Sequence, residues 1–365
     1  MKRYKFSRAL SNLLIGDDRS TRAAHRRGPC WLPIAAALAI ICAFVVAAAA
    51  RNQTAKSKAQ PRHEPPPYWA FTGNPEANAT RHAAKKPDDR TLLRVPGSRQ
   101  TFTQRQIDAA AFNPPDWHPD GHPPMPEIVA HGRKPNVAAC GFCHLPNGQG
   151  RPENSSLAGL PAAYIIQQMA DFKSGRRKPS KNTVPIDAMT AHETRAGAAE
   201  VRDAADYFSR IKPRPWIHVV ETRSVPKTHA AAWMLVRTAG GGKEPIGHRI
   251  IETPVNQRLT EMRDDASGFI AYVPVGSVEK GKALATTGDG GKTINCEMCH
   301  GPGLRGQGNV PSIAGRSPSY IVRQLYDFRS GSRNGPDARL MQPVAARLTL
   351  DDMILLAAYL ASLHP

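Results

Sequence analysis

Two stretches of this sequence superimpose at a constant separation of 156 positions. Cys140-Gly141-Phe142-Cys143-His144 recurs as Cys296-Glu297-Met298-Cys299-His300, and Leu157-Ala158-Gly159 recurs as Ile313-Ala314-Gly315. At the same offset Tyr164, Gln168, Asp171, Phe172, Gly175 and Arg177 meet Tyr320, Gln324, Asp327, Phe328, Gly331 and Arg333. Self-similarity at a fixed period marks a repeated structural unit, so the chain is expected to contain two copies of one small module. From Tyr164 and from Tyr320 apolar residues fall three and four apart and stop at Ser-Gly, which predicts a helix with a glycine terminus in each copy. A second helix follows in each, where Val201, Ala205, Phe208 and Ile211 match Met353, Ala357, Leu360 and Leu363. There the separation has fallen to 152, so the first copy carries four extra residues between its helices.

The repeated pentapeptide carries chemistry. Two cysteines three positions apart lie about one helical turn apart, so both thiols reach one edge of a porphyrin and the following histidine meets its iron. C-x-x-C-H is the attachment signature of c-type haem. Two other uses of C-x-x-C stand beside it: a zinc site assembled from both halves, or a thioredoxin-like redox pair. The first leaves each half's complete module and adjacent histidine unexplained, and the second wants a βαβ context that is absent. An iron bound on one face needs a ligand on the other. Met189 and Met341 each stand eighteen residues before an equivalent tyrosine, Tyr207 and Tyr359, and are the candidates. Met169 aligns with Leu325 and Met353 with Val201, which reads as packing, while His192 is an alternative to Met189 whose counterpart, Val344, cannot bind iron.

Between the copies, over residues 215–275, short β-branched and aromatic runs predict a small β-rich insertion packed on the modules. Its expected strands are Trp216–Val220, Trp233–Val236, His248–Ile251 and Phe269–Val273, with Gly240-Gly241-Gly242 turning between the second and third. Before the copies, residues 51–120 are rich in Pro, Lys, Arg and Asn with little periodicity and are expected to form an extended tether or a draped extension. Residues 1–30 hold eight Lys or Arg and precede an apolar run, 31–50. That run is long enough to span a bilayer, so a basic cytoplasmic segment, a transmembrane anchor or signal segment, and an exported body are expected. The alternative is cleavage near Ala47–Ala50, leaving a soluble periplasmic protein.

These features together resemble the class I cytochromes c, and in particular the bacterial tandem di-haem cytochromes c of the c-four type. The resemblance covers about 125–211 and 276–365: both C-x-x-C-H sites, the Ala-Gly step after them, the Tyr-x-x-x-Gln helix, and the methionine before an Ala-Asp-Tyr or Ala-Ala-Tyr helix. It implies a mainly α fold with cytochrome c modules at 121–214 and 276–365, each gripping its cofactor between an N-terminal and a C-terminal helix. It implies two covalently bound haem c groups, with Cys140 and Cys143, Cys296 and Cys299 attached to them. His144 and His300 become proximal iron ligands, and Met189 and Met341 distal ones. It implies further that the Pro311 carbonyl accepts a hydrogen bond from the proximal imidazole. Ser155 replaces that proline in the first copy, so the two haems are expected to differ there. The insertion and the N-terminal extension lie outside the compact family, so its contact between haems does not carry over.

No catalytic residue is expected. The function implied is single-electron transfer on the periplasmic side of the inner membrane, from a dehydrogenase or quinol-oxidising complex to an oxidase or reductase. A formal net charge of +19 favours acidic redox partners or an anionic membrane surface, with Arg176, Arg177, Lys178 and Lys181 as candidate docking residues. Nucleic acid is not expected as a partner. Two alternatives remain: a haem subunit held in a dehydrogenase complex, and a di-haem peroxidase-like enzyme whose first module leaves its iron open. His118 and His122 fall outside the repeat and read as loop residues, with a metal or partner contact as the alternative.

Overall fold

The described residues, 64–72, 90–191 and 193–365 of a computed structural model, form two helical modules with a β-rich region between them. In chain order β1 (Leu92–Leu93), β2 (Phe102–Thr103) and α1 (Gln104–Asp108) come first. The first module holds α2 (Glu127–Ala130), α3 (Cys140–His144), α4 (Ala162–Lys173), α5 (Val184–Ala191) and α6 (Ala198–Arg210). The second holds α8 (Ser277–Thr287), α9 (Glu297–His300), α10 (Pro318–Arg329), α11 (Ala338–Ala345) and α12 (Leu350–Ser362). Helices α4 and α10 stop where the sequence says they should. Gly175 and Gly331 take φ of +70° and +75°, a conformation that costs glycine nothing, and their N–H groups close on Phe172 and Phe328 carbonyls.

The modules are not equal at their N-terminal helices. In the second, the eleven-residue α8 crosses α12, and a Cβ at Gly281 would run into the Leu355 carbonyl. In the first, the four-residue α2 stands in that place, and the close approach is between the Val129 carbonyl and Gly141 of α3.

Seven strands and a short helix occupy the insertion: β3 (Ile217–Glu221), β4 (Ser224–Pro226), β5 (Thr228–Ala231), β6 (Met234–Arg237), β7 (Lys243–Pro245), β8 (Ile251–Pro254), α7 (Gln257–Glu261) and β9 (Phe269–Val273). β9 pairs parallel to β3 and antiparallel to β8. Its residues alternate, with Phe269, Ala271 and Val273 buried, as a strand with one covered face must. Val273 and Ile251 share a core with Leu284, Leu356 and Leu360, so the insertion is built into the second module. Two expected details fail. The strand expected at His248–Ile251 begins only at Ile251, and the triple glycine leads instead to β7, which returns along β4.

Of the two readings of 51–120, the described parts follow the draped extension rather than a free tether. Trp69, Ala70 and Phe71 are buried in the second module's core, and Arg323 Nη1 donates to the Ala70 carbonyl at 2.7 Å. Farther on, Trp117 is wholly buried with Val95, Ile107 and Met262, and its indole N–H donates to the Met262 carbonyl at 2.8 Å. Single aromatic anchors do here what periodic apolar stripes do elsewhere. The basic segment 1–30 and the apolar run 31–50 lie outside the described residues. Among the described residues, no helix is long and apolar enough to cross a membrane.

The two copies grip each other reciprocally. Arg177 Nη2 donates to Tyr320 Oη at 3.0 Å and Gln324 Oε1 at 2.9 Å. Arg333 Nη2 donates to Tyr164 Oη at 2.8 Å and Gln168 Oε1 at 2.7 Å. Each guanidinium also holds the glutamine of its own module at 3.0 Å. Lys178 N donates to Ser332 O and Asn334 N to Arg176 O beside them. Residue i contacts j and j contacts i, the pattern of a two-fold interface, here between repeats of one chain.

Candidate haem sites

Each C-x-x-C-H segment is a single helical turn, so the three reactive side chains project from one short element. His144 Nδ1 lies 2.8 Å from the Ser155 carbonyl, and His300 Nδ1 lies 2.8 Å from the Pro311 carbonyl. A carbonyl only accepts, so Nδ1 carries the hydrogen in both rings and Nε2 keeps its lone pair. Burial lowers the pKa of both histidines, that of His144 being lowered further by the Arg177 charge. Both imidazoles are therefore neutral and fixed in orientation, as a metal-bound histidine requires.

A glycine braces each carbonyl. Gly150 and Gly306 take φ of +67° and +91°, and a Cβ on either would press into the backbone at Ser155 or at Val310–Ser312. Their N–H groups donate back to the His144 and His300 carbonyls at 2.9 and 2.7 Å. The exchange of Ser155 for Pro311 does not alter the contact, because backbone oxygen makes it. The carbonyl accepts at the same distance in both copies.

In the first module a cavity of about 1280 Å³, its open mouth included, is lined by Cys140, Cys143, His144 and Met189. Met189 sits on α5 and faces the same space as the histidine. Ile165, Met169 and Phe172, one stripe of α4, form part of the wall, so Met169 packs against the cavity. His192 lies outside the described residues. In the second module Met341, on α11, is partly buried against the core that also contacts Cys296, while Met353 is fully buried packing.

The residues suit a haem. The cavity is mainly apolar and takes a planar macrocycle in size. Arg177, 9% exposed, lines it while its hydrogen bonds go to neutral Gln and Tyr oxygens. A buried guanidinium so placed suits acidic side chains such as the porphyrin's. Arg177 therefore cannot serve at a docking surface as expected, whereas Arg176 and Lys178 are exposed. The competing uses of C-x-x-C fare worse. Among the described residues, the cysteines of the two patterns do not converge with other ligands at metal-site distances. Burial, with Cys299 adding to it, pushes the Cys296 thiol up to about 11, the reverse of a redox-active thiolate.

The family model Cytochrome c matches residues 278–364. A protein named thiosulfate dehydrogenase electron acceptor, from Thiomonas intermedia (strain K12), is 30% identical over 233 residues, covering 62% of this chain and 80% of the relative. One of the same name from Stutzerimonas stutzeri (strain A1501) is 36% identical over 235 residues, with coverages of 63% and 82%. Cytochrome c4 of Azotobacter vinelandii is 26% identical over 240 residues, with coverages of 62% and 86%.

Proposed function

This chain belongs to the di-haem cytochromes c of the c4 type, and from that premise we propose that it is a periplasmic carrier passing single electrons from a dehydrogenase to an oxidase or reductase. It carries two covalently bound haem c groups and transfers electrons. Cys140 and Cys143 hold one by thioether bonds, and Cys296 and Cys299 the other. His144 and His300 are the proximal ligands, Met189 and Met341 the distal ones. Haem supplies a reversible one-electron couple, and a methionine on the far face favours the reduced iron. The chain's own work is to fix each imidazole through a backbone carbonyl, keep water from the cavity and balance buried charge with Arg177.

The observation that carries this reading is the duplicated proximal arrangement, His144 on Ser155 O and His300 on Pro311 O, each at 2.8 Å. A carrier needs two closed irons, and Met189 in the cavity wall supports closure of the first. A dehydrogenase donor is supported by the names of two relatives. The net charge of +19 favours acidic partners, so electron exchange with them should slow as salt rises. Residues 31–50 are proposed to anchor the protein to the inner membrane.

Stepwise anaerobic reduction of the purified protein, followed optically, tests the assignment. Two low-spin haems are expected, each showing the weak near-infrared charge-transfer band of methionine ligation in the ferric state and neither binding carbon monoxide. A high-spin fraction that binds carbon monoxide or turns over peroxide would replace the carrier with an enzyme open at one iron.

A further inference from the structure

The segment Trp117-His118 and the loop after α7 are 146 residues apart in sequence, yet they build a small polar cluster that electron transfer does not use. His118 Nε2 lies 2.9 Å from Asp264 Oδ1 and 4.0 Å from Asp265 Oδ1. One donor atom from each of the three falls within 4.8 Å of the others. Both carboxylates are only 3% exposed. Asp264 Oδ1 accepts from Ala266 N at 2.9 Å, whereas Asp265 Oδ1 is buried with no hydrogen-bond partner.

We propose that His118, Asp264 and Asp265 bind a divalent transition-metal ion that pins the N-terminal segment and the insertion to the first haem module. A buried carboxylate oxygen left unpaired is costly, and beside a second buried carboxylate it lacks a cation. His118 provides at most one positive charge for two neighbouring carboxylates, and Asp116 nearby is taken by His122 at 3.1 Å.

One imidazole nitrogen with two carboxylate oxygens suits zinc or manganese, and the nitrogen argues against calcium, which takes oxygen ligands. The donors are also held in place. Trp117 is locked to Met262 through its indole N–H, and Asn147 Nδ2 donates to the Asp265 carbonyl at 2.5 Å. Arg263, the neighbour of Asp264, stacks on Phe142 of the first C-x-x-C-H turn at 4.4 Å. An ion at this point would fasten two stretches of chain, the second of which Asn147 and Phe142 tie to the first module.

The test uses the full haem-loaded protein, stripped with chelator, dialysed against Zn²⁺ and assayed for zinc per haem iron. One zinc per chain is expected above what Asp265→Asn and His118→Gln retain, each variant binding at least about tenfold more weakly. His248→Ala, which removes an exposed His–Asp pair, should retain the zinc. Zn²⁺ should raise the thermal midpoint of the native protein and leave that of Asp265→Asn unmoved. If Asp265→Asn fails to accumulate with haem, His118→Gln decides alone. Equal zinc in native and variant proteins, no zinc in the native protein, or displacement of zinc by equimolar Ca²⁺ would each overturn the proposal.

Discussion

At His144 and at His300 a left-handed glycine places a carbonyl, and the carbonyl places the imidazole. Ser155→Ala should therefore leave the first haem's midpoint potential and the unfolding temperature unchanged, because Ser155 contributes its backbone oxygen. Gly150→Ala is the opposite case. The side chain meets both a φ of +67° and the Ser155 carbonyl, so a loss of about 1–2 kcal/mol from backbone strain alone is expected, together with a shifted potential for the first haem only. Redox titration of the two variants beside thermal unfolding separates these outcomes, and a Ser155→Ala shift as large as that of Gly150→Ala would show that the hydroxyl matters. The two C-x-x-C-H turns were legible because the signature has fixed spacing. The bracing glycines were not, since nothing local tells a glycine under a carbonyl from one in an ordinary turn.

Between elements the modules differ most at the α8–α12 crossing. Gly281 lets α8 touch the backbone of α12 at Leu355, and the residue 156 positions earlier, Met125, belongs to a module without such a helix. Gly281→Ala should cost about 1–3 kcal/mol through overpacking, visible in denaturant unfolding followed at the second haem; an unchanged midpoint would mean the helices can separate freely. Helix α12 also carries a pH-dependent start. Burial alone would raise Asp352, but Lys292 Nζ at 2.6 Å and the Thr349 hydroxyl and N–H hold its carboxyl below the usual range. A depressed carboxyl stabilises the fold above its unfolded pKa of about 3.9. That contribution is lost as pH falls through the folded value. Asp352→Asn should reduce the acid-limb dependence and cost about 1 kcal/mol at neutral pH, read from urea midpoints at pH 7 and at about pH 2. Helices with periodic apolar stripes were readable to within a few residues. The strand at Ile251 was misplaced toward His248 because two adjacent isoleucines carry no period, and the packing of Trp69 and Trp117 was invisible because each anchor's partners are supplied by distant chain.

At the scale of the whole molecule, the repeat makes its own interface. Arg177 and Arg333 stood out as a matched pair in the sequence, yet only the apposition of two modules tells a buried clamp from a solvated charge. Both guanidiniums use Gln168 Oε1 and Gln324 Oε1, so removing one leaves the shared acceptors partly served by the other. Hydrogen bonds to charged groups are worth about 1.5–3 kcal/mol each, and groups that share partners do not contribute independently. Arg177→Met and Arg333→Met should each lower stability by about that amount, while the double variant departs from their sum by at least about 0.5 kcal/mol. Arg177→Lys should rescue little, since an ammonium keeps the charge but cannot span Gln168, Tyr320 and Gln324 with one planar fork. With the clamp gone, the two modules should unfold in separate calorimetric transitions where the native chain shows one. Strict additivity in the cycle, or a single transition in the double variant, would mean that other contacts between the modules, such as those of Arg316 with the Ser156 and Ala158 carbonyls, rather than the arginine pair, hold the repeats together.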